Sequence, residues 1–256
     1  MKKDQIALIL YTLRDFCTSE EQLRTTLKRV REIGYQAVQV SGVSGEIAPA
    51  VIRSALDEAG LKCCATHDNG DWIRKEPEAV AEKLSILGTR DTAYPYPAGV
   101  DFNDPASIDS LVADLSHAGE VLAKAGMRLS YHNHAHEFFR VGGKTVLEEI
   151  YERVPAEFLK AELDTFWIQA GGASPLSWIE KMKGRMPLMH LKDYGVNPNG
   201  DRHFSEIGSG NLDWPTLIAA AEAAGCEWFI VEQDTCPGDP FESIAKSYKY
   251  LAGLCV

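Results

Sequence analysis

Residues 19–40 read SEEQLRTTLKRVREIGYQAVQV, and the order of events in this stretch decides the fold. Ser19 is suited to cap a helix, and Glu20 and Glu21 put negative charge in its first turn, where the helix dipole favours it. Helical periodicity then runs to Ile33. Gly34 stops the helix, because glycine tolerates the left-handed turn that a helix C-terminus needs. An apolar run, 37–40, follows at once and reads as a strand. Helix, glycine, strand is the unit.

The unit recurs along the chain. Further helices are expected at 46–59, 76–87, 107–125, 144–154, 175–183, 214–224 and 241–251, and Gly60, Gly88, Gly126, Gly184 and Gly225 end five of them. Strand-like runs lie at 6–11, 37–40, 61–66, 92–96, 128–132, 161–166, 187–191 and 228–232; Pro95 and Pro97 interrupt the fourth. Eight βα units in 256 residues favour a closed α/β barrel, a (β/α)8 TIM barrel forming one domain over 1–256, over an open doubly wound sheet. No GxGxxG fingerprint follows the first strand, which argues against a dinucleotide fold. The nearest approach, Gly208-Ser209-Gly210, lies in a loop after the seventh strand and lacks the third glycine.

Composition narrows the function. The chain is 45% hydrophobic and 25% charged, which is ordinary for a globular protein and excludes a disordered or collagenous one. No apolar run approaches the ~20 residues of a membrane helix. With 37 acidic and 26 basic side chains the net charge is −11, which repels phosphate backbones and anionic membranes. A small molecule is therefore the expected partner, with neither nucleic acid nor membrane. The apolar stretch after Met1-Lys2-Lys3 is short and ends at Arg14-Asp15 without a cleavage site, so the expected location is cytoplasmic. The six cysteines form no CxxC pair and read as reduced; Cys63 and Cys64, adjacent in a strand, face opposite ways and are not a metal pair.

In such barrels chemistry sits where the strands end. The fifth strand ends in Tyr131-His132-Asn133-His134-Ala135-His136-Glu137, the sixth in Leu163-Asp164-Thr165, the seventh in His190-Leu191-Lys192-Asp193 and the eighth in Val231-Glu232-Gln233-Asp234. The third ends in Thr66-His67-Asp68. Carboxylates and imidazoles at four adjacent strand ends suit one divalent ion, Mn²⁺, Co²⁺, Mg²⁺ or Zn²⁺, and the absence of thiolates argues against a structural zinc. Alternation puts His132 and His134 on one face, so one could ligate metal and the other bind substrate. Trp167 could offer an aromatic platform to a sugar ring or pack in the wall, Lys192 could hold a substrate oxygen or lie at the surface, and Arg14 could line the pocket from the first strand.

Residues 10–15, Tyr131-His132-Asn133-His134 with Glu137-Phe138, Leu163 to Trp167, His190 to Asp193 and Gly208 to Trp214 together, in this order, resemble the sugar phosphate isomerase/epimerase family of the xylose isomerase-like TIM barrel superfamily. The resemblance implies a divalent metal held by Glu, Asp, His and Glu on successive strands. Asp164, His190 and Glu232 take the last three places. For the first, strand alignment offers His132 where the epimerases carry Glu, and the loop residue Glu137 is the favoured ligand, with His132 as its neighbour. The implied chemistry is isomerisation or epimerisation of a sugar or keto-sugar through an enediolate. Glu232 and Glu137 would flank the sugar, His132 would take part in proton transfer, and His67, His134, Trp167, Lys192 and Arg14 would bind substrate. Two alternatives share the scaffold: a lyase or dehydratase, with the extra histidines protonating a leaving group, and a non-catalytic sugar-binding barrel. Endonuclease IV, of the same superfamily, carries a His ligand three residues after its Asp, where this chain has Trp167. Barrels of this kind often pair, so a homo-oligomer is compatible with the sequence, although no residue marks an interface.

Overall fold

The computed structural model describes residues 1–255. Among them, eight parallel strands close into a barrel: Ile6–Ile9, Ala37–Val40, Lys62–His67, Asp91–Tyr94, Arg128–His132, Lys160–Asp164, Leu188–Leu191 and Trp228–Val231. They follow one another around the barrel in chain order, and the eighth closes on the first with Leu8 beside Val231. Every anticipated strand forms. Ser19 caps the helix Glu20–Ile33 by accepting from the Gln22 N–H, and Gly34 ends it at a positive φ of 126°. That helix lays Leu23, Leu27 and Val30 into the layer that also holds Leu8 and Val38, so its apolar stripe is what fixes it to the barrel. No helix among the described residues is long and apolar enough to cross a membrane.

The barrel interior has two regimes. Its lower part is filled by small and branched apolar side chains, Ala7, Ile9, Ala37, Cys64, Ala65, Leu188 and Ile230. Above these, toward the C-terminal strand ends, the inward residues are polar: Gln39, His132, Glu162, Asp164 and His190, all buried. Strand three breaks the alternation. Val38 pairs with Cys63 but the next residue, Gln39, pairs with Ala65, so Cys64 is an extra residue in a bulge. Cys64 and Ala65 therefore share the interior, Cys63 lies in the outer layer, and His67 is turned inward. All six cysteines are free thiols.

Differences from the expected elements gather at the upper end. Strand one stops at Ile9, and Leu10–Phe16 coils into 3-10 turns. Strand six stops at Asp164 because that carboxylate caps a new helix, Thr165–Ala170; β-branched and aromatic propensity in this run gives way to the cap. An extra helix, Gly70–Lys75, follows strand three, capped by Asn69. Two hairpins were not anticipated: Arg140–Val141 with Lys144–Thr145, and Asp193–Val196 with Arg202–Ser205.

Candidate active site and metal centre

Strand register sets the levels of the site. His132 stands beside Glu162, and Asp164 beside His190. Laterally paired residues of parallel strands point to the same face, so all four converge on the barrel axis. Glu232 directly follows strand eight, its N–H donating to the Leu191 carbonyl at 3.0 Å.

The deeper level centres on Glu162, which has no solvent exposure. Its Oε1 lies 2.5 Å from His67 Nε2, 3.1 Å from His190 Nε2 and 3.2 Å from His132 Nδ1, and its Oε2 accepts from Gln39 Nε2 at 2.8 Å. In the upper level His190 Nδ1 stands 2.8 Å from Glu232 Oε2. Lys192 Nζ, also buried, is 2.8 Å from Asp234 Oδ2, 3.2 Å from Glu232 Oε2 and 3.5 Å from Asp164 Oδ2. Asp164 spends Oδ1 on the Trp167 N–H at 2.9 Å, while its Oδ2 has no hydrogen-bond partner.

These contacts sort the charges. Burial opposes a charged His190, yet the carboxylates of Glu162 and Glu232 prevail and lift it to about 10. Burial drives His132 down to about 3 and His134 to about 2, so both are neutral imidazoles. Burial would raise Glu232, but Lys192 and His190 hold it well below the usual carboxylate range. Burial pushes Asp164 up to about 7. Lys192 stays cationic, since Glu232, Asp164 and Asp234 outweigh its burial.

The upper level floors a cavity of about 400 Å³ whose lining includes His67, His132, His134, Lys192, Glu232 and Asp234. The residues fit a divalent cation. His132, Asp164, His190 and Glu232 offer two imidazoles and two carboxylates, with one candidate ligand atom from each lying within 4.8 Å of the others. Asp164 Oδ2 is buried without a hydrogen-bond partner, its nearest cation being Lys192 Nζ at 3.5 Å, and such an open carboxylate oxygen is what a metal satisfies. A second set, His67, His132, Glu162 and His190, overlaps the first. Its carboxylate already accepts on both oxygens, so it supports the upper set from below rather than competing with it.

Asp164, His190 and Glu232 thus come together as expected from the sequence, and His67, His134 and Lys192 reach the same cavity. Glu137 does not reach it. The turn His136–Phe138 aims its carboxylate into the packing, where it accepts from the His134 N–H at 2.8 Å and the Tyr131 hydroxyl at 3.1 Å, and it groups with His134 and His136 as a separate candidate metal set. His132 groups with Asp164, His190 and Glu232. Arg14 lies outside the cavity lining; its guanidinium donates to the carbonyls of Tyr11 and Asp234 at 3.0 and 3.1 Å. Trp167 stands behind Lys192, its ring 5.0 Å from Nζ. Sequence reasoning missed Glu162, Gln39 and Asp234. Glu162 carried a legible signal: a carboxylate inside an apolar run, two residues before Asp164 and so on the same strand face.

The chain belongs to the xylose isomerase-like TIM barrel family, whose model matches residues 27–253. It is 26% identical over 170 residues to an inosose dehydratase of Bacillus cereus (strain AH820), which covers 57% of this chain and 55% of that protein, so the match spans about half the relative's length. A sugar phosphate isomerase/epimerase from Parabacteroides distasonis ATCC 8503 has the same fold, with a TM-score of 0.81 at 22% identity over 98% of this chain and 94% of that one. An L-ribulose 3-epimerase superposes with a TM-score of 0.72 at 17% identity, over 99% and 94% of the two chains. At these identities the two structures speak for the fold.

Proposed function

We propose that this protein is a divalent-metal-dependent isomerase or epimerase that acts on a sugar or keto-sugar through an enediolate. The observation that carries this reading is the buried set His132, Asp164, His190 and Glu232, with the open Asp164 Oδ2, two of whose members, His132 and Glu232, line a cavity of about 400 Å³. Mixed nitrogen and oxygen donors suit Mn²⁺, Co²⁺, Mg²⁺ or Zn²⁺. Such an ion would act as a Lewis acid on a carbonyl and make the neighbouring C–H more acidic. Glu232, ionised and lining the cavity, takes that proton. Lys192, 3.2 Å from it, faces the oxygen that gains negative charge. The imidazoles of His67 and His134 orient hydroxyls.

A lyase is the second reading, and the turn of Glu137 toward Tyr131 and the His134 N–H favours it. Glu232 and Asp234 follow strand eight, while strands three and five and the turn after the fifth present the imidazoles of His67, His132 and His134. Epimerisation needs a proton acceptor on each face of the sugar. Aldose–ketose isomerisation and β-elimination can run from one carboxylate on one face. The named relative, a dehydratase, points the same way.

The test is metal content of the purified protein beside Asp164→Ala and His190→Ala. About one divalent ion per chain, lost in both variants, is expected when each of the four side chains supplies a ligand. No metal in the wild type after Mn²⁺ or Co²⁺ is supplied sinks the reading. A keto-sugar screen in D₂O then separates the outcomes: solvent deuterium in a product of otherwise conserved mass marks an isomerase or epimerase, and loss of water or an alcohol marks a lyase.

A further inference from the structure

Lys192 directly follows strand seven and brings a buried ammonium to the level of the candidate metal set. Its Nζ lies 2.8 Å from Asp234 Oδ2, 3.2 Å from Glu232 Oε2 and 3.5 Å from Asp164 Oδ2. Of these three carboxylates, Asp164 and Glu232 belong to the metal set and Asp234 does not. The ammonium thus stands nearest to the one carboxylate outside the set.

That order has a consequence for a cation on the set. A divalent ion held by Asp164 and Glu232 would share its oxygens with Lys192. Two cations a few ångströms apart repel, and more strongly in a buried place than in water. An ammonium that stays on Asp164 and Glu232 therefore opposes the ion, and another anion has to receive it. Asp234 stands where it can do so.

Its placement is built from both sides. The segment after strand eight is moored at three consecutive residues. The Glu232 N–H donates to the Leu191 carbonyl at 3.0 Å and the Gln233 N–H to Thr12 Oγ1 at 3.1 Å, and the Asp234 carbonyl accepts from the Arg14 guanidinium at 3.1 Å. Arg14 is fixed in turn by donating to the Tyr11 carbonyl at 3.0 Å. Across the gap, the Lys192 N–H donates to Thr165 Oγ1 at 3.1 Å, and the rings of Trp167 and Phe204 flank its Nζ at 5.0 and 5.2 Å. Lys192 and Asp234 both line the 400 Å³ cavity, and the Asp234 side chain keeps 22% exposure. Pairing with it draws the ammonium toward the cavity and away from the floor.

We infer that Asp234 is a positioning residue: it holds the Lys192 ammonium off the candidate metal ligands Asp164 and Glu232 and presents it to the cavity. Arg14, by gripping the Asp234 carbonyl, sets where that carboxylate stands. The inference rests on the metal centre of the function proposed above and not on the identity of the substrate.

Mn²⁺ titration by calorimetry of four full-length proteins tests it: wild type, Asp234→Asn, Lys192→Met and the double variant. Asp234→Asn should weaken Mn²⁺ binding about tenfold, the lower end of the range for a residue that acts behind the ligands. In the Lys192→Met background the same substitution should change affinity by less than about threefold, because the two residues are coupled and no ammonium is left to hold away. Asp234→Ser removes the same charge with a smaller side chain and should repeat both results. An equal loss in the two backgrounds would show that Asp234 acts only as a nearby negative charge, and overturns the inference. Unchanged affinity in both Asp234→Asn and Asp234→Ser overturns it as well, and in either case the metal centre stands. Failure of the wild type to bind Mn²⁺ overturns the metal centre and the inference together.

Discussion

Glu162 Oε1 lies 3.1 Å from His190 Nε2, on the side of the ring away from Glu232. That carboxylate, together with Gln39 Oε1 at 2.7 Å from the same nitrogen, fixes an imidazole whose Nδ1 faces Glu232. This is the carboxylate–histidine support that orients a ligand and raises its basicity.

Glu162→Gln keeps the shape and removes the charge. Divalent-metal affinity should fall about 10- to 100-fold, the usual cost of losing such a support. A direct metal titration checks it, and wild-type affinity in the variant would show that Glu162 serves packing alone.

Lys192→Met removes a cation that stands among Asp164, Glu232 and Asp234. Turnover should fall by roughly 10²–10³, as for the loss of one charge-stabilising donor. Metal affinity should hold or rise, because a competing positive charge has gone. A variant that loses metal would instead assign Lys192 to the architecture of the site.

Glu137 gives a pH signature. Burial pushes its carboxyl up to about 7, from the 4.5 usual for a glutamate. The folded state therefore holds its proton in a window where the unfolded state has released it, and this group costs stability as pH rises from about 4.5 to about 7. Glu137→Gln should remove that slope, so the variant gains on wild type across the window, by on the order of 3 kcal/mol at its upper end. Denaturant unfolding of both proteins at a series of pH values measures it; parallel curves would show that Glu137 ionises freely in the fold.

The opposite end of the barrel concerns stability. Arg128 pairs with Asp91 at 2.6 Å and Glu227 at 2.6 Å, tying the bottoms of strands four and five to the segment leading into strand eight. Arg128→Met leaves Asp91, 2% exposed, without its main counter-charge and should cost about 3 kcal/mol. Metal content at low temperature should not change. A shift in metal content with unaltered melting would contradict the division of labour between the two ends.

The strands, the helix–glycine junctions and three members of the candidate metal set were legible because each rests on local spacing. Gly34, Gly60 and Gly88 stop helices by backbone conformation alone, and Asp164, His190 and Glu232 end apolar runs whatever their neighbours do. The misread parts depend on a cap that overrides strand propensity or on distant partners. Thr165–Ala170 is a helix because Asp164 caps it, and Asp193–Ser205 is a hairpin because Asp193 is gripped by Gly208, Gly210 and Trp214.

The sequence by itself determined the barrel and the end at which its chemistry lies, since periodicity and chain order suffice for both. Only the tertiary structure showed that His132, and not Glu137, lies with Asp164, His190 and Glu232. A loop carboxylate is free to fold either way, and the Tyr131 hydroxyl and the His134 N–H draw this one into the wall. Only it, too, revealed Glu162 as the centre of the lower level: an inward carboxylate is costly until three imidazoles and an amide, brought from four other strands, surround it.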